Sequence, residues 1–174
     1  MSIHKIHYFS IDNELVYWNF FLDFGPLNLG QLYKFCEKLN QKLKDVRLAD
    51  RVICFYSSTT HSKRANAIFL ICAWQVLYLN RTPEQSFVGF CHEAKYSDLL
   101  KENISRPPLE GKGIAPIPPF HDATGGVCTY KLTIIHCLKG LVKARAHGFF
   151  SFDKFPLEEV QIIEQVRYYL WIFK

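Results

Sequence analysis

The string His136-Cys137-Leu138-Lys139-Gly140-Leu141-Val142-Lys143 is the nearest this chain comes to a cysteine nucleophile. Phosphoryl transfer through a thiolate uses the spacing H-C-x-x-G-x-x-R. The thiolate attacks phosphorus, and the arginine six residues later grips two phosphate oxygens through its planar fork. Here Lys143 stands in the arginine position, and a point-charge ammonium does not reproduce that bidentate geometry. The setting is also wrong. A reactive cysteine of this kind ends a strand, in a loop whose inward N–H groups stabilise the anion and lower the thiol pKa. The apolar periodicity around Cys137 instead predicts a helix, whose N–H groups are already bonded.

A second constellation has the better layout and the worse nucleophile. Val52-Ile53-Cys54-Phe55-Tyr56 reads as a strand, Ser57 to Ser62 as a polar loop, and Lys63-Arg64-Ala65-Asn66 as the entry to an apolar helix. Strand–loop–helix is the architecture of a phosphate cradle, but Tyr56 occupies the strand end where cysteine belongs. A tyrosine hydroxyl is no match for a thiolate in this role. Lys63 and Arg64 beside a helix N-terminus retain the makings of an anion site; simple strand-to-helix packing explains the same residues.

Three carboxylates complete the candidates. Asp122, after Pro119-Phe120-His121, reads either as a general acid or as a loop residue capping a turn. Glu158 and Glu159, after Pro156, read either as favourable charges at a helix N-terminus or as an acidic patch for a basic ligand. The seven histidines are dispersed. The six cysteines lack C-x-x-C spacing, so neither a metal site nor a cofactor is expected, and the thiols are expected to be reduced and intracellular.

The elements that would position these groups are legible. Half of the 174 residues are hydrophobic (49%), enough for one folded domain. Net charge is +5, far below a dedicated nucleic-acid binder, and the most apolar stretch, Ala67 to Leu79, is too short to span a membrane. Neither nucleic acid nor membrane is therefore an expected partner. Residues 6–20 read as extended. Asn28 and Gln31 resemble a capping pair ahead of a helix over 29–44, with Leu29, Leu32, Tyr33, Cys36, Leu39 and Leu43 on its apolar face. Helices are predicted over 63–79, from Thr82-Pro83, over 129–147 closed by Gly148, and over 156–170 with Val160, Ile163, Val166 and Leu170 turned inward. The five prolines and four glycines of 98–126 predict a long loop.

Residues 7–12 (HYFSID), 14–17 (ELVY), 23–29 (DFGPLNL), 64–67 (RANA), 82–84 (TPE) and 148–150 (GFF) resemble the N-terminal domain of the cell division cycle fourteen phosphatases. These are dual-specificity protein phosphatases of mitotic exit. The resemblance runs from about 6 to 172 and implies an α/β, dual-specificity-phosphatase-like fold with a central, mostly parallel sheet flanked by helices. It also implies a degenerate phosphate-binding loop over Val52 to Leu79. The nucleophile belongs to a second domain, expected to be absent here, so no catalytic residue is assigned to this chain.

Its implied role is substrate recognition and scaffolding, with phosphoprotein partners bearing Ser-Pro sites and basic flanks. Glu158, Glu159 and Asp122 are the groove candidates, and Lys63 and Arg64 the relic anion site. The implied location is the nucleus or nucleolus, centrosome or cytoplasm. An alternative is a free-standing interaction module, possible as a homodimer, using Phe149, Phe150, Phe152, Trp171 and Phe173. The chain departs from the family at His121, in the longer preceding loop, and at Gln161 and Ile162 in the acidic helix.

Overall fold

A computed structural model describes residues 5–90 and 117–172, with side chains to residue 166. Two strands, β1 (Lys5–Phe9) and β2 (Arg51–Phe55), pair in parallel with Phe9 opposite Phe55. Parallel neighbours require a crossover, and it is the helix α1 (Leu29–Lys44) with the 3₁₀ turn Val46–Leu48. The chain continues into α2 (His61–Tyr78), the short α3 (Pro83–Phe87), α4 (Ile134–Ala146) and α5 (Leu157–Ile172). This is the expected α/β class. No helix of the described residues is long and apolar enough to cross a membrane.

Alternation along the strands puts Phe9, Ile53 and Phe55 on one face, where the Phe55 ring stacks on Phe9 and meets Phe35 of α1 at 4.9 Å. The opposite face carries Ile6, Tyr8, Val52 and Tyr56, all about half exposed. Helices were expected on both faces; among the described residues they cover one.

The cap of α1 forms as the sequence predicts. Asn28 accepts from Gln31 N at 2.9 Å, and the Gln31 side chain returns to the Asn28 backbone. Its buried face is Gly30, Leu32, Phe35, Cys36 and Leu39, while Leu29 and Leu43 are exposed. The predicted face was therefore turned too far from Phe35, which is the residue the sheet requires. Nearly every side of α2 is covered, by α1, α3 and α4, as an almost uninterrupted apolar helix demands.

Three expectations need correction. Residues 6–20 are a strand only to Phe9, because Glu14 N and Leu15 N both fold back to Ile11 O. The helix expected from 129 begins at Ile134. Leu132 is used instead in an antiparallel bridge to Phe120, and Thr133 is the cap, accepting from His136 N. Gly148, at φ +70°, closes it as expected. In α5, Val160 turns inward onto Gly30 as expected, but Ile163 and Val166 face outward. The second contact is Glu164 on Asn28, and the Leu170 side chain lies outside the described residues. Of the predicted 98–126 loop, the part through residue 116 lies outside the described residues.

Two glycines test this packing in opposite directions. A Cβ on Gly25 would lie 2.5 Å from Asn66 Oδ1 and 2.6 Å from the Phe120 ring, whereas one on Gly140 in α4 meets nothing within 4 Å. Gly25→Ala is expected to lower unfolding free energy by about 1–3 kcal/mol, and Gly140→Ala to raise it by about 0.5–1 kcal/mol. Urea denaturation reads both.

Candidate functional site

The strand–loop–helix that begins at β2 is set by a buried amide. Asn66, 6% exposed, lies in the second turn of α2. Its Nδ2 donates to Phe24 O at 2.6 Å, and its Oδ1 accepts from Leu27 N at 3.2 Å. A buried amide left unpaired is costly, so these bonds fix the segment 23–28 against α2. They also explain why residue 25 is glycine: the backbone passes too close to Asn66 and Phe120 for a side chain.

At the strand end Tyr56 donates its backbone N–H to Phe9 O at 3.0 Å, and its ring meets Tyr8 edge-on. Ser58 N then donates to Asp12 Oδ2 at 2.7 Å, while Asp12 Oδ1 is buried with no hydrogen-bond partner among the described residues. An internal carboxylate thus takes an N–H of the loop that could otherwise serve a bound anion. Thr60 caps α2 with no side-chain bond to the helix, its hydroxyl meeting Ser58 Oγ at 3.2 Å instead. Lys63 is exposed at the following turn, and Arg64 is half-buried with its N–H returned to Thr60 O.

Beside this loop is a cavity of about 390 Å³. Asp12, Lys63, Asn66 and Asp23 supply its polar wall, and Leu15, Val16, Phe21 and Leu22 much of the apolar one. Asp23 is 3% exposed. It accepts from Tyr17 Oη at 2.8 Å, Phe20 N at 2.9 Å and Phe21 N at 2.7 Å. Burial pushes this carboxyl up, but the hydrogen bonds from Phe21, Tyr17 and Phe20 outweigh it and hold the group below its usual range.

The cysteine candidate fails on geometry. Cys137 is in the first turn of α4, half-buried, with its N–H given to Thr133 O at 3.2 Å. Burial pushes its thiol up to about 11, so almost no thiolate exists at neutral pH. Lys143 lies further along the same helix, where no phosphate cradle can form.

The predicted residues are not gathered into one site. Lys63 and Arg64 stand at the loop. Asp122 closes a separate turn: its Oδ2 accepts from Tyr130 N at 3.4 Å, and its carbonyl receives Thr124 N. Glu158 and Glu159 are exposed in the first turn of α5, and neither they nor Asp122 line the 390 Å³ cavity. Of the suspected aromatic surface, Phe149 is exposed, but Phe150 and Phe152 pack against the core. The side chains of Trp171 and Phe173 lie outside the described residues. Sequence reasoning passed over Asp12, Asp23 and Asn66. Their signal is a polar residue inside an apolar stretch, which folding must either expose or satisfy.

Residues 1–105 match the family described as dual specificity protein phosphatase, N-terminal half. The chain belongs to this family. It is 48% identical over 162 residues to dual specificity protein phosphatase CDC14A of Mus musculus, covering 93% of this chain and 24% of that relative. It is 43% identical over 165 residues to CDC14AB of Danio rerio, covering 95% and 24%. It is 30% identical over 159 residues to tyrosine-protein phosphatase CDC14 of Candida albicans, covering 91% and 26%. The chain thus spans about a quarter of the length of these relatives. In this N-terminal half, the strings that carried the resemblance are structural: DFGPLNL and RANA are the two sides of the Asn66 clamp.

Asp23 gives the site a measurable acid limit. Its carboxyl lies lower in the folded than in the unfolded chain. The stability it contributes is therefore present above the unfolded value, about 3.9, and is lost as pH falls through the folded one. Asp23→Asn is expected to cost about 1–3 kcal/mol at neutral pH and to flatten the loss of stability in acid. Parallel acid slopes for the two proteins in urea melts would assign the pH dependence elsewhere.

Proposed function

We propose that this chain is the substrate-recognition and scaffolding half of a mitotic-exit-type dual-specificity protein phosphatase, over residues 6–172, and turns over no substrate alone. The observation that carries this reading is the end of β2. Tyr56 stands where a nucleophile would be needed, and Asp12 already holds an N–H of the loop beyond it. The chain's other candidate thiol is locked into α4. What remains for such a domain is to shape a groove and select what enters it.

Selection falls to Glu158 and Glu159. Both are exposed at the N-terminus of α5, free to meet basic residues beside a Ser-Pro phosphosite. The helix is held on α1 through Val160 and Glu164, so the pair is presented from a fixed element. Asp122 is a weaker member of this set, because its carboxylate is engaged in its own turn. Lys63 and Arg64 make a relic anion site whose affinity is reduced by Asp12. The partners are phosphoproteins handled with a catalytic half, in the nucleus or nucleolus, at the centrosome or in the cytoplasm.

A second reading is favoured by the open sheet face. Parallel sheets are normally covered on both sides, yet Tyr8 is 61% and Val52 50% exposed, and Phe149 is 81% exposed. A free-standing interaction module, as a homodimer or on another protein, would use such surfaces.

Fusion of the chain to a catalytic half of the same family separates the two. kcat/KM is compared for phospho-Ser-Pro peptides with and without a nearby lysine, in the fusion and its Glu158→Gln/Glu159→Gln variant. Exposed pairs contribute about 0.2–1 kcal/mol each, so the double variant is expected to lose about two- to thirtyfold of the preference, and the effect to fade with salt. Equal preference in both constructs would leave these residues with only a helix to start.

A further inference from the structure

At the end of β2 opposite Tyr56, a groove of about 560 Å³ runs between the C-terminal half of α1 and the strands. His7 of β1, Lys38 and Lys42 of α1, Arg47 of the 3₁₀ turn and Arg51 of β2 face it, with Asp45 the acid among its lining residues. The basic groups are not equally engaged. Lys38 is tied to Glu14 at the rim. Asp45 is spent on Arg47: it accepts from Arg47 Nε and Nη2, and from the backbone N, at 2.8–3.2 Å, which leaves the Nη1 edge of that guanidinium. Arg51 reaches Asp50 only at 3.9 Å, beyond hydrogen-bond range.

Lys42 is the informative one. Its ammonium pairs with no carboxylate among the described residues. It donates instead to His7 Nε2 at 3.0 Å and sits over the Phe9 ring at 5.2 Å to the centroid. A lysine that uses an imidazole as acceptor, over an apolar ring, leaves the groove with one ammonium that no carboxylate of the described residues neutralises. Guanidinium groups and an ammonium lining one groove suit the oxygens of a phosphoryl group.

We infer that this groove is an anion site for a phosphorylated peptide segment, separate from the strand–loop–helix at the other end of the sheet. The ligand is a single phosphoryl group on a peptide rather than a nucleic acid. The groove is compact, Asp45, Glu14 and Asp50 flank it, and a duplex would demand a continuous basic stripe. The site would hold an already modified segment of a protein without acting on it, and the inference does not rest on the role given to Glu158 and Glu159.

Titration calorimetry on the whole chain tests it with a short phosphoserine peptide carrying no other charged side chain. Its unphosphorylated form, a single-stranded oligonucleotide and phosphatidylserine vesicles are the comparison probes. The phosphopeptide is expected to bind, the unphosphorylated peptide not. Lys42→Gln and Arg51→Gln should each weaken binding about fivefold, while Lys143→Gln on α4 should leave it unchanged. Thermal melts matching wild type confirm that the groove variants are folded. Unaltered affinity in both groove variants, or tighter binding of the oligonucleotide or vesicles than of the phosphopeptide, would overturn the assignment.

Discussion

The architecture depends on one buried side chain. Asn66, 6% exposed, bonds two backbone groups about forty residues earlier in the chain, Phe24 O and Leu27 N. Hydrogen bonds of this kind add modest net stability, but leaving such groups unpaired inside the fold is costly. The amide therefore dictates where the segment before α1 must lie. Asn28 follows at once, capping α1 and bonding Glu164 of α5, while Gly30 lets Val160 approach. One amide in α2 in this way positions the start of α1 and, through it, the helix that presents Glu158 and Glu159.

The same neighbourhood bears on the proposal that the strand–loop–helix is a relic phosphate cradle. Asp23 opens the segment that Asn66 pins down, Asp12 lines the same cavity, and both carboxylates are turned toward backbone N–H groups. Asp23 uses them to order the turn at Phe20 and Phe21. Asp12 spends one oxygen on Ser58 and buries the other. A loop whose donor is held by an internal carboxylate is poorly suited to a second anion, and with Tyr56 at the strand end there is nothing to attack one.

Much of this was legible in the sequence. The capping pairs Asn28–Gln31 and Thr82–Gln85, the all-round apolar α2 and the stop at Gly148 follow from local rules that tertiary contacts did not override. The misreadings have two causes. Residues 10–20 carry strand-forming residue types, yet a local turn on Ile11 O reverses the chain, and Trp18 and Phe20 go to the surface while Tyr17 packs on the core. Leu132 looks helical, yet the bridge to Phe120, a partner invisible to periodicity, claims it. The candidate site was legible only in its components. Lys63, Arg64, Glu158 and Glu159 were picked by type and position, and the fold does not gather them; Asp12 meeting Ser58 across 46 residues was missed, because nothing local announces it.

In the proposed recognition role the chain would orient and select substrate, and none of its own thiols would become a phosphoryl acceptor. Acid-quench mass spectrometry after incubation with an excess of para-nitrophenyl phosphate tests it directly, because a thiophosphate ester on cysteine would be trapped whether or not turnover were fast enough to see. The Cys54 and Cys137 peptides are expected to be unmodified. A phosphoryl adduct on either cysteine, lost on its substitution by serine, would contradict it.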